Sequence, residues 1–148
     1  MAKINGSRVI VGGLVAGVVC NIFEYVFNAL VLKDRWDEAM KALGKEVTYT
    51  AGVMAVYICW AFLIGIMAVW LYAAIRPRFG AGPRTAVIAG FAMWIFVYVQ
   101  GMIVTANMGV LPVGLLLIST IVGLVELVVA ALVGAWLYKE EGLAAAAA

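Results

Sequence analysis

Four apolar runs of bilayer-crossing length, at residues 9–32, 48–75, 85–105 and 112–138, leave this 148-residue chain little from which to build anything but membrane-spanning helices. The first run, VIVGGLVAGVVCNIFEYVFNALVL, rises ~36 Å as a helix against a hydrocarbon core of ~30 Å, so it spans with some tilt. The expected fold is all-α and integral to the membrane: one domain of four transmembrane helices in an antiparallel bundle, with a short interfacial helix at about 34–43. A composition 67% hydrophobic and 12% charged, with a mean hydropathy of +1.12, excludes a disordered chain and argues against a soluble domain. A net charge of +2 gives no footing for nucleic acid.

Polar residues inside the spans are the informative ones. Placing Glu24 well inside the first run costs roughly 2.5–3.5 kcal/mol on insertion scales, which makes an intramembrane carboxylate a site hypothesis by default. Gly13, Gly17, Asn21, Glu24 and Asn28 recur at helical spacing and share one face, and Ser119, Gly123, Glu126, Ala130 and Gly134 do the same in the fourth run. Small residues let backbones approach closely, so Gly13, Gly17, Gly123 and Gly134 are expected to carry helix packing, with the first and fourth helices side by side, stripe against stripe. Counted from the same side of the membrane, Glu24 lies ~24 Å beyond Arg8 and Glu126 ~18 Å beyond Tyr138, so the two carboxyl groups can share one cavity. No basic residue within the spans can neutralise them, and at least one is expected to hold a proton. Asn21, Asn28, Gln100 and Ser119 are the expected hydrogen-bonding companions.

Three readings of the pair follow. The carboxyl groups serve as interhelical glue, they bind something charged (a proton in transit, a metal or alkali cation, or a cationic substrate), or one of them faces a basic residue of another subunit. The chain contains no histidine and no visible nucleophile–base set or metal-ligand cluster, so it is not read as an enzyme. Cys20 and Cys59, both within apolar runs, are read as small buried hydrophobes. The cofactor is left unknown, with pigment, quinone or lipid between helices left open, and the methionine and aromatic content reads as core and lipid-facing bulk.

The connections complete the expectation. In KDRWDEAMKALG (33–44), Asp34 can cap a short helix with Trp36, Met40 and Leu43 on its apolar side, Asp37 and Lys41 paired, and Gly44 as its stop. RPRFGAGPR (76–84) reads as a turn on the positive side. Tyr49, Trp70 and Tyr72 look like interfacial anchors, whereas Tyr57 and Trp60 lie deeper and need a partner or an inward position. Pro112 is expected to open the last helix as the second arm of a tight antiparallel hairpin. The alanines at 144–148 carry no information. Lys3, Arg8, Arg76, Arg78, Arg84 and Lys139 fall on one side, and Lys33, Arg35, Lys41 and Lys45 on the other, which puts both termini in the cytoplasm of a bacterial inner membrane. The first run is expected to be retained rather than cleaved as a signal peptide.

The segment GGLVAGVVCNIFEYVFNALVL followed by Trp36 and Met40 resembles small four-helix bacterial membrane proteins, a resemblance that implies no activity. Glu24 in a first helix is also similar to the small multidrug resistance transporters, whose first-helix glutamate exchanges protons for cationic drugs. Glu126 has no counterpart in that pattern, and the loop after the first helix is longer. The two function classes expected are a structural or accessory subunit, as a homo-oligomer or within a larger membrane complex in the lipid bilayer, and a proton- or cation-coupled small transporter or channel using Glu24 and Glu126.

Overall fold

The computed structural model describes residues 4–46 and 48–139, and the alanine tail lies outside them. Among the described residues four helices are long and apolar enough to cross a membrane: α1 (Gly6–Val31), α3 (Ala51–Phe79), α4 (Pro83–Asn107) and α5 (Val113–Leu137). A short amphipathic helix, α2 (Lys33–Ala42), follows α1 directly. Four apolar helices of this length mark an integral membrane protein.

Helix ends are set by local chemistry that hydropathy alone does not report. The Asn5 side chain accepts the Arg8 N–H at 3.1 Å, so α1 begins at Gly6 rather than at residue 9. The Thr50 hydroxyl accepts the Val53 N–H at 3.3 Å, so α3 begins at Ala51 rather than at residue 48. At the other end α3 continues through Pro77 to Phe79, and the expected turn at 76–84 shrinks to Gly80–Gly82. Pro77 has no N–H to offer the carbonyl of Ala73 four residues back, and the helix runs on for less than one turn before Gly80, at φ 86°, ends it. Thr85 Oγ1 then donates to the Gly80 carbonyl at 2.7 Å and ties the turn to α4. Pro112 stands just before α5, as its N-cap, rather than as its first residue.

α2 differs from expectation in detail. Asp34 lies in its first turn without capping it, where a carboxylate still complements the helix dipole. Lys33 pairs with Asp37, in place of the expected Asp37–Lys41 pair. Leu43 falls past the helix end and is exposed, and Ala39 takes its place in a small apolar layer with Leu32 and Leu115, flanked by Trp36, Leu111 and Ile118. Gly44, at φ 68°, stops the helix as expected.

α1 packs against both α3 and α5, α4 packs chiefly against α5, and α3 touches α4 and α5 as well. α1 and α4 are thus the two helices held apart, with α5 between them. The expected stripe-to-stripe pairing of α1 with α5 is corrected. A Cβ on Gly13 would lie 2.5 Å from Ile66 Cα, and one on Gly17 2.7 Å from Phe62 Cα, so these two glycines receive α3, where Gly65 answers them. The approach of α1 to α5 uses the neighbouring row instead: a Cβ on Gly12 would lie 2.6 Å from the Gly134 carbonyl oxygen, and one on Gly134 3.1 Å from Ala16 Cβ. The buried core, including Ala16, Cys20, Val69, Ala89, Leu127 and Ala130, is built mostly of small residues, which is how helices approach closely where lipid supplies no hydrophobic drive.

Several aromatic and sulfur positions also fall differently. Tyr57 and Trp60 face outward, 62% and 56% exposed, because the whole of Ala51–Trp60 is exposed and no neighbour covers it. Cys59 lies on the same exposed stretch, whereas Cys20 is buried. Tyr72 is buried rather than anchored at an interface: its hydroxyl accepts the Gly82 N–H at 3.2 Å, and its ring meets Tyr138 edge-on.

Candidate functional site

Each of three helices brings one oxygen-bearing side chain to a single point in the bundle. Glu24 comes from α1, where it continues the row Gly12, Ala16, Cys20 that faces α5. Glu126 comes from the middle of α5, about 20 Å from Val113, and is only 3% exposed. Tyr98 comes from α4, and its hydroxyl lies 2.7 Å from Glu24 Oε1 and 2.6 Å from Glu126 Oε2. The tyrosine therefore bridges two carboxyl groups from helices on either side of it.

Tyr98 reaches that point because α5 has a notch in its path. A Cβ on Gly123 would lie 2.5 Å from Cδ2, Cε2 and Cζ of the Tyr98 ring. What Gly123 receives is the tyrosine ring rather than the backbone of α1. One turn away, Trp94 Nε1 donates to the Thr120 carbonyl at 2.7 Å and fixes the register of α4 on α5. Both polar side chains that leave α1 and α4 here border a wider, π-type turn: Glu24 precedes Tyr25–Val31, and Tyr98 lies within Ile95–Val99. Such turns shift the facing of the residues that follow them and recur at functional positions.

The network continues beyond Glu24. Asn28 Nδ2 donates to Glu24 Oε2 at 2.7 Å, and Trp36 Nε1 of α2 donates to Asn28 Oδ1 at 3.0 Å. On the other side the buried Cys20 thiol lies beside Glu126. The result is one hydrogen-bonded line from Trp36 through Asn28, Glu24 and Tyr98 to Glu126.

Hydrogen counting constrains this line. A phenol carries one hydrogen, yet the Tyr98 oxygen stands at hydrogen-bond distance from two carboxyl oxygens. Only one of these contacts can use the tyrosine hydrogen, so the other needs a proton carried by a carboxyl group. The donors present favour Glu126 as its carrier, because Glu24 already accepts a further N–H from Asn28 and a carboxylate is the stronger acceptor. Glu126 then donates to Tyr98, Tyr98 donates to Glu24, and Glu24 as the carboxylate accepts from both Tyr98 and Asn28.

Of the expected companions, Asn28 alone joins the pair. Asn21 belongs to the row that faces α3: its Nδ2 donates to the Gly17 carbonyl at 2.9 Å and reaches the Ile58 carbonyl at 3.5 Å. Gln100 is exposed on α4 and stays outside the site. Ser119 Oγ is enclosed without a hydrogen-bond partner among the described residues. Tyr98 and Trp36 are the members that sequence reasoning missed as polar partners. A signal for Tyr98 existed in the need of two carboxyl groups for a donor from a third helix, and Tyr98 is the single tyrosine of the third run, close to its middle. Among the described residues no group of three or more metal-ligating side chains assembles.

Fold and site together define a helical integral membrane protein with a tyrosine-bridged carboxyl pair inside its bundle. No protein-family model matches the sequence, and searches of curated proteins and of solved structures gave no match either.

Proposed function

We propose that this chain is a structural or accessory subunit of a membrane assembly, either a homo-oligomer or a larger complex. One observation carries the reading: both intramembrane carboxyl groups are engaged by side chains of the chain itself, Tyr98 and Asn28, so the polar line serves as an interhelical lock. The exposed turns of Ala51–Trp60, rich in Val, Met, Tyr and Trp, offer a face to lipid or to a neighbouring subunit. In this reading the four spans run antiparallel in a bacterial inner membrane, with both termini cytoplasmic as the six-to-four bias of basic residues supports. α2 lies in the interface plane, with Lys33, Asp34, Arg35 and Glu38 exposed to headgroups and Trp36 turned toward the bundle. The reading assigns no catalysis and no nucleic-acid partner.

A second reading, a proton- or cation-coupled small transporter or channel, is favoured by the hydrogen count at Tyr98, since a bridge that needs one carboxyl proton is a place to hold and release one. It is the reading to which the small multidrug resistance likeness of Glu24 belongs. Purification from native membranes in mild detergent separates the two. Partners of fixed stoichiometry, or a defined homo-oligomer, support the subunit. A chain that purifies alone and gives pH-dependent flux in proteoliposomes, lost in Glu24→Gln and Glu126→Gln, supports transport and overturns the subunit reading.

A further inference from the structure

Glu24 and Glu126 share Tyr98, but they are not equivalent, and the difference is their second neighbour. Glu24 Oε2 accepts from Asn28, and Asn28 in turn accepts from the indole of α2. The amide of Asn28 is oriented by this arrangement, because an indole N–H can only donate and must meet the amide oxygen, leaving the NH2 for Glu24. A hydrogen bond to a carboxylate is roughly twice as strong as one to a neutral acceptor. The hold of Asn28 on Glu24, and through it the seat of Trp36, is therefore strong when Glu24 is ionised and weak when Glu24 is neutral. Among the described residues Glu126 makes no hydrogen bond to Asn28 or to α2.

We propose that α2 is a latch whose docking on the bundle reports the charge of Glu24. With the proton on Glu126, Glu24 is a carboxylate and the latch is closed. When Glu24 gains a proton the charge-assisted bond is lost, and α2 is left with its apolar packing, Leu32 and Ala39 against Leu115 with Trp36, Leu111 and Ile118 at the margin. The proton can arrive from the medium or through Tyr98. In the second case the O–H bond of Glu126 breaks as a new one forms on the Tyr98 oxygen, the original phenol hydrogen passes to Glu24 Oε1, and the negative charge moves from Glu24 to Glu126. The titratable groups facing this line are Cys20 of α1, Tyr98 of α4 and Glu126 of α5, and α3 contributes no charged group to it. α2 carries its own Lys33, Asp34, Arg35, Asp37, Glu38 and Lys41, with Lys33 and Asp37 paired to each other. The inference goes beyond the subunit reading and holds whether or not a membrane partner exists.

The test uses the full chain in lipid nanodiscs with its five tryptophans replaced by 5-fluorotryptophan, and reads the fluorine resonance assigned to Trp36 by Trp36→Phe. Glu24→Gln, a permanently neutral side chain, is expected to move the Trp36 resonance to that of a water-exposed indole. Glu126→Gln, whose amide can donate to Tyr98 as the protonated acid does, is expected to leave it in place. A Trp36 resonance unmoved in Glu24→Gln, or moved equally by both variants, overturns the latch. Should Glu24→Gln fail to fold, acid titration of the wild-type chain gives an independent reading. The Trp36 resonance is then expected to move reversibly, with Trp94 unaffected and with the movement surviving Asp37→Asn. A static Trp36 resonance throughout, or a movement abolished by Asp37→Asn, overturns the proposal.

Discussion

The ring of Tyr98 lies across Gly123, so close that a β-carbon on the glycine would sit 2.5 Å from three of its ring atoms. This crossing lets a side chain of α4 pass α5 and touch a carboxyl group on α1, a helix that α4 otherwise hardly meets. Gly123→Ala should therefore act through Tyr98. The added methyl displaces the ring, with an overpacking cost of about 1–3 kcal/mol, and Tyr98 loses at least one of its two carboxyl contacts. Thermal unfolding in mild detergent should show the loss. A variant as stable as the wild type would show that the ring can move without leaving the bridge.

Tyr98→Phe removes the hydroxyl and keeps the ring. The expected cost is about 1–2 kcal/mol, the upper part of the range for interhelical hydrogen bonds in membrane bundles, because two carboxyl groups lose the same partner. The loss should be strongly non-additive with that of Glu126→Ala, which removes the carboxyl group altogether, since both variants cut the same line. A double-mutant cycle on reversible unfolding checks this, and strict additivity would refute the bridge.

Glycines divide by what stands against them. Gly65 sits against the backbone of Gly13 and Gly17, so Gly65→Leu should separate α1 from α3 and cost several kcal/mol, the scale of the largest core disruptions. Gly101 has nothing within 4 Å of its added β-carbon, and Gly101→Ala should be neutral or stabilising by up to about 1 kcal/mol. Comparing the two unfolding midpoints tests the packing at residue level.

The polar companions should also separate. Asn28→Leu removes both the donor to Glu24 and the acceptor of Trp36, and should lower stability by about 1–3 kcal/mol, as for a buried group left unsatisfied. Gln100→Leu should leave stability within about 0.5 kcal/mol, because Gln100 is exposed outside the network. A larger effect at Gln100 than at Asn28 would contradict the site.

One pH effect lies outside the spans. The hydrogen bond to Asp37, and then its charge, hold the Lys33 ammonium above its ordinary value of 10.5. Because the folded value is the raised one, the pair's contribution is fully present below the unfolded value and is lost as pH climbs through the folded one. In an NMR titration of the Lys33 side chain, Asp37→Asn should lower the midpoint. An unchanged midpoint would show that the pair does not persist in solution.

The amino-acid sequence by itself determined the four spans, the short helix after the first of them, and the presence of two acids with no base to neutralise them, because hydropathy and the cost of buried charge act residue by residue. It also placed Glu24 and Asn28 four residues apart on one face, which helical periodicity guarantees. Periodicity does not say how a helix is rotated about its own axis. The rows Gly13, Gly17, Asn21 and Gly12, Ala16, Cys20, Glu24 are adjacent on α1, and only packing against α3 and α5 decided that the first receives α3 while the second carries the site. Tyr98 was hidden for a related reason: in a membrane span its ring reads as apolar bulk, and its hydroxyl matters only once Gly123 on a different helix opens the way to Glu24 and Glu126. What fills the seam between the helices is thus a property of three elements meeting, which no single run of residues contains.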